Sequence, residues 1–162
     1  MTEADIVAIE EWLDAQGLAG ASETELLNGF CVRCCGLGIT LERALTFVDT
    51  LHPIYEGSAF HWRQREEVEK PVIEYGSSTQ GPGAESWQRT TFYHLLQSGE
   101  DSLRRRIGEM DEPGFLHLEN LKAEGLTDYL ALVHRFSTQG SIGEMDCFYS
   151  QWSTAHADGF ED

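Results

Sequence analysis

Residues 49–63 read DTLHPIYEGSAFHWR, and the period of the side chains changes inside that stretch. Upstream, Leu41, Ala44, Leu45 and Val48 recur at the three- and four-residue spacing of one helix face. That spacing predicts a helix beginning at Thr40 and ending through Asp49, Thr50, Leu51 and His52. Pro53 forbids its continuation, because proline has no N–H to donate and disfavours helical backbone in the residue before it. Downstream, in AFHWRQR, Phe60 and Trp62 point one way while His61 and Arg63 point the other, the alternation of a half-buried strand.

Working outward, the N-terminal third reads as helices. Thr2 with Asp5 resembles a cap, and Ile6, Ile9 and Leu13 keep helical spacing until Gly17. Ser22 with Glu25 is a capping box, in which the serine oxygen accepts from the third backbone N–H and the glutamate reaches back to the cap. Leu26, Leu27, Phe30, Cys31 and Cys34 form one apolar stripe, and Gly36 and Gly38 can end that helix in the left-handed conformation. Beyond residue 63, KPVIEYG offers a second strand, with QREEVE as the hairpin connection. GSSTQGPGAES, residues 76–86, reads as a loop. TTFYHLLQ, ending near Gly99, and FLHLENLKAEG, ending at Gly125, read as helices. TDYLALVHRFSTQGSIGEMDCFYSQWST reads as two strands about a polar turn. Together these patterns predict one α+β domain over residues 1–162, with 1–52 helical and 53–162 containing the sheet. The sheet is expected to be antiparallel, with the N-terminal helices and helices packed on one side.

The 162 residues fall in the size range of one domain. They carry 28 acidic and 11 basic side chains, a formal net charge of −17. Such a surface repels phosphate backbones and anionic lipid heads, which argues against nucleic acid and membrane as partners. The basic triplet Arg104, Arg105, Arg106 reads as a solvated helix face. No run of 18 to 20 apolar residues is present and MTEADIVAIEEW lacks a basic start, so the expected location is cytoplasmic.

Candidate chemistry is sparse. Cys31, Cys34 and Cys35 of CVRCC share a helix face, and thiols at that spacing are the weak metal candidates of the chain. A structural zinc site needs four converging ligands, and no second CxxC or HxxxH occurs, so small apolar residues on a buried face are the favoured reading. The six histidines are isolated, and no spacing signals haem ligation. Phosphate-cradling and nucleophile-elbow motifs are absent. The aromatic residues supply rigid surfaces suited either to core packing or to the wall of a small-molecule pocket.

Several segments, in order along nearly the whole chain, resemble the N-terminal regulatory region of alphaproteobacterial class III adenylate/guanylate cyclases. They are EWLDAQGLAGASETELLNGFCVRCCGLGITLERAL at 11–45, DTLHPIYEGSAFHWR at 49–63, TTFYHLLQSGEDSLRRRI at 90–107, EGLTDYLALVHRFSTQG at 124–140 and the closing SQWSTAHADGFED. The resemblance implies a GAF- or PAS-like sensor fold and a catalytic cyclase domain beyond residue 162. That further domain would hold the metal, Mg or Mn, and complete its active sites across a dimer, so this chain is expected to be non-catalytic.

The resulting expectation is a cytoplasmic sensory domain, homodimeric by resemblance, that binds a small molecule and controls cyclic AMP synthesis downstream. His52, Tyr55, Phe60, His61, Trp62, Tyr93 and His134 are the ligand-binding candidates, with Phe60 and Trp62 facing the cavity. No cofactor is predicted. The alternatives are a dimerisation module without ligand and a haem- or metal-binding redox sensor.

Overall fold

The computed structural model describes residues 1–49, 56–65, 72–76, 81–110, 114–135 and 147–160. Two helices open the chain, α1 (Glu3–Leu18) and α2 (Glu23–Gly36). Both start at the predicted caps: Thr2 with Asp5, and Ser22 with Glu25, form reciprocal capping boxes. Ile39 N–H donates to the Cys34 carbonyl at 3.0 Å as the chain leaves α2 through Gly38 at φ +93°, a left-handed stop.

Among the described residues six strands come next: β1 (Arg43–Asp49), β2 (Gly57–Arg63), β3 (Val72–Tyr75), β4 (Ser102–Arg105), β5 (Asp128–Arg135) and β6 (Cys147–Thr154). Three short helices, α3 (Gly81–Gln88), α4 (Thr91–Ser98) and α5 (Leu116–Ala123), interrupt them. The sheet order is β3-β2-β1-β6-β5-β4 and every neighbouring pair is antiparallel. The first and last strands therefore pair at the centre.

Three local expectations are corrected. The helix expected from Thr40 is strand β1. Ala44 and Leu45 are consecutive and both buried, because a central strand covered on both faces needs apolar residues without alternation. Such a run also satisfies helical spacing, and the β-branched and aromatic Thr46, Phe47 and Val48 favour the strand. The helical N-terminal part thus ends at Gly36, not at residue 52. The arginine triplet lies on and just after β4, not on a helix. Within 76–86, residues 81–86 start α3, where Pro82 falls in a first turn that has no use for its missing N–H. The β2–β3 connection at 66–71 lies outside the described residues.

Two cores sit on opposite faces of the sheet. On one, α1 and α2 bury Ile9, Leu27, Cys31 and Cys34 against Ala44, Phe60 and Trp62. On the other, α4 and α5 bury Phe92, Leu95, Leu118 and Leu121 against Leu103, Tyr129, Ala131, Val133 and Tyr149. Trp87 of α3 joins this second core through an edge-on contact with Tyr149 at 5.5 Å. The packing helices are therefore divided between both faces, because the central strands β1 and β6 present apolar side chains to each.

Candidate functional site

The face under α3 to α5 changes character in rows across the strands. One row is aromatic: Phe47 lies beside Tyr149 on β6, and Phe92 packs on both, with centroids 5.3 and 5.2 Å away. The next row is mixed, with Leu45 opposite His61 on one side and opposite Gln151 on the other. The third is polar, with Arg43 opposite Arg63 and Ser153, and Tyr129 opposite Ser153. One side of one sheet thus runs from rings to guanidinium groups within five residues of β1.

Tyr129 is the hub of the polar end. Its fully buried hydroxyl donates to Gln151 Oε1 at 2.9 Å, shares a hydrogen bond with Thr91 Oγ1 at 2.7 Å, and lies 3.3 Å from His117 Nε2. Thr91 is placed there by the first turn of α4, which Thr90 caps, and His117 by the first turn of α5. Burial pushes the Tyr129 hydroxyl pKa well above its ordinary value, so it stays a neutral donor. Burial, and then the nearby Arg43 charge, push His117 down to about 4. His61 is lowered for the same reasons, burial first and then Arg43 and Arg63. Arg43 is itself lowered by burial, opposed by the Glu124 carboxylate.

The neutral state of His117 has a measurable consequence. Its folded pKa lies below the unfolded value of about 6.5, so the unfolded chain binds the extra proton first. The contribution is complete above pH 6.5 and is lost as pH falls from there toward 4. Urea unfolding from pH 7.5 to 4.5 is expected to show stability falling with a steeper slope in wild type than in His117→Gln. Equal slopes would mean that folding does not lower the His117 pKa.

The sequence candidates divide between the two faces. His61 lies on the graded face, and Tyr93 on α4 packs edge-on to Trp87 at 6.5 Å beside it. Phe60 and Trp62 do not face it. Both are 8% exposed beneath α2, where the Trp62 indole N–H donates to Asn28 Oδ1 at 3.0 Å. His134 also lies on the α1–α2 side, stacked on Phe148 at 4.2 Å and hydrogen-bonded to Ser150 Oγ at 2.8 Å. His52 and Tyr55 lie outside the described residues. Arg43, Arg63, Thr91, His117, Glu124 and Gln151 carry no signal in the sequence. Each is an ordinary polar residue until the strand register and the two short helices bring them together.

The cysteines do not converge. Cys31 and Cys34 are buried in the α2 core and Cys147 in the opposite one. Burial raises the pKa of Cys31, Cys34 and Cys35, which disfavours the thiolate that metal binding requires. Among the described residues no group of three or more His, Cys, Asp or Glu side chains could hold a metal ion, and no helix is long and apolar enough to cross a membrane.

No protein-family model and no curated protein matches the chain. Among solved structures it is similar to the phycoerythrobilin-bound GAF domain from a cyanobacterial phytochrome. The TM-score is 0.50 at 9% sequence identity, over 96% of this chain and 84% of that one. With the six-stranded antiparallel sheet and five helices of its described residues, the chain has a GAF-like α+β fold.

Proposed function

We propose that this chain is a sensory and regulatory domain that receives a small molecule on the graded face of the sheet. In this reading it controls cyclic AMP synthesis by a class III cyclase catalytic domain joined C-terminally, and acts as a homodimer. The observation that carries the reading is the polar end of that face. Arginine, histidine, tyrosine and glutamine side chains are drawn together over one side of a sheet where apolar packing alone would be cheaper. The GAF-like fold, shared with a phycoerythrobilin-bound domain, supports the sensory role. The cyclase connection rests on the segments that resemble cyclase regulatory regions.

A ligand that binds one of two domain arrangements more tightly shifts their populations by its differential affinity, and the C-terminal segment passes that shift onward. Native mass spectrometry with an absorption spectrum of freshly purified protein tests the first step. A retained non-covalent compound, lost on Arg43→Gln in a folded protein, is the expected result. A concentration-dependent dimer with no retained compound would favour the dimerisation module, and a Soret band would favour the haem sensor.

A further inference from the structure

We propose that Arg43 and Arg63 form a receptor for an oxyanion, a carboxylate or a phosphate, and that the Glu124 side chain is the internal occupant which the ligand displaces. This rests on the graded face being the receiving surface, and specifies the chemistry received there.

Strand register brings the two cations together. Arg43 and Arg63 are direct cross-strand partners on β1 and β2. Like charges in that position are destabilising, so the pair calls for an anion between them. Glu124 supplies one with a single oxygen: its Oε2 lies 2.6 Å from Arg63 Nη2 and 3.6 Å from Arg43 Nη1. A planar guanidinium fork binds best when it engages two oxygens at once. A free carboxylate or phosphate can offer several oxygens to the two forks, whereas Glu124 shares one between them.

Glu124 is also an awkward resident. It caps the C-terminus of α5, the negative end of the helix dipole, where a carboxylate is disfavoured. The helix end does not depend on its side chain. Gly125, at φ +87°, donates its N–H to the Lys122 carbonyl, and Leu126 N–H to the Leu121 carbonyl, both at 3.0 Å. The carboxylate can therefore swing out while the backbone of the cap stays. Solvent reaches the place, since the side chains of Arg43, Arg63 and Glu124 are 20%, 35% and 37% exposed. An ion pair this exposed is weak and open to competition. His61, two residues from Arg63 on the same face and held neutral by burial, offers a further hydrogen-bonding nitrogen to the bound group.

The test titrates the full chain with inorganic phosphate and, separately, with succinate, each at constant ionic strength against sodium chloride, by calorimetry. Saturable binding of one of them is expected, and which one responds identifies the source of the oxyanion. Glu124→Gln removes the internal competitor and should tighten that binding by about fivefold. Arg63→Lys keeps the charge but loses the fork and should weaken it, with circular dichroism confirming the fold. Affinity unchanged in both variants, or a response equal to that of chloride, overturns the proposal. A neutral compound retained on this face with no competition from either oxyanion overturns the anion chemistry and leaves the receiving face intact. Neither retained compound nor oxyanion response removes both.

Discussion

Replacing Asp128 by alanine is expected to cost about 3 kcal/mol of folding stability, at the low end of the range for breaking a buried ion pair. Asp128 is fully buried at the start of β5. Its Oδ2 accepts from Arg104 Nε at 3.0 Å, Arg104 Nη2 at 2.8 Å and Phe160 N–H at 3.0 Å, while Oδ1 accepts from the Tyr129 N–H at 2.9 Å. Arg104 also donates to the Phe160 carbonyl. The low end of the range applies because Arg104 is 31% exposed and recovers water when its partner is removed. Asp128→Asn keeps one acceptor oxygen, for one of the two backbone N–H groups, and turns the other into an NH2 donor facing donors, so it should cost about 1–3 kcal/mol. Urea unfolding reads both, and an alanine variant within 0.5 kcal/mol of wild type, roughly the noise of surface substitutions, would show that the carboxylate holds nothing.

The same residues fix the path of the chain after β6. Gly159 lies over Asp128 at φ +75°, and a Cβ there would come within 2.5 Å of Oδ2, so only glycine fits that turn. Phe160 then packs into the α1–α2 core. The segment after β6 is thus tied to the sheet at β4 and β5.

Leu118→Ala is expected to cost about 2–5 kcal/mol, the range for emptying a fully buried leucine site. Leu118 is 0% exposed on α5, the helix that also carries His117 and leads into Glu124. Loss of its packing should loosen α5 on the sheet, so amides 117–124 should exchange with solvent faster while those of α1 and α2 keep their protection. Glu119→Ala, one residue on and exposed, should stay within about 0.5 kcal/mol of wild type. If both variants unfold at the same urea concentration, α5 is not anchored through Leu118.

Much of the local structure was legible in the chain. Both capping boxes lie within four consecutive residues, and their hydrogen bonds depend on nothing farther away. The alternation that separates Phe60 and Trp62 from His61 and Arg63 is also local, and the structure keeps it. The direction of that alternation was not legible. Which set met helix α2 and which met α5 depended on how the sheet was covered, and Phe60 and Trp62 met α2.

The site was the least legible part. Glu124 is 81 residues from Arg43 and 61 from Arg63, and Tyr129 meets Gln151 only through the β5–β6 register. None of these residues carries a motif, because a polar network over a sheet face has no fixed spacing in sequence. The arginine triplet shows the same limit. Read alone it is a charged run, yet a buried aspartate 24 residues away turns Arg104 into a clamp.

By itself, then, the sequence determined the caps, the glycine stops, the alternation of β2 and β5, and the α+β class, since each arises from contacts between near neighbours. Only tertiary structure decided that residues 43–49 are a strand rather than a helix. Their apolar pattern satisfies either period, and pairing with β2 on one side and β6 on the other supplies the backbone hydrogen bonds that select the strand. The same pairing sets Arg43 beside Arg63 and brings both guanidinium groups to the Glu124 carboxylate, a meeting that only the strand register and the end of α5 create.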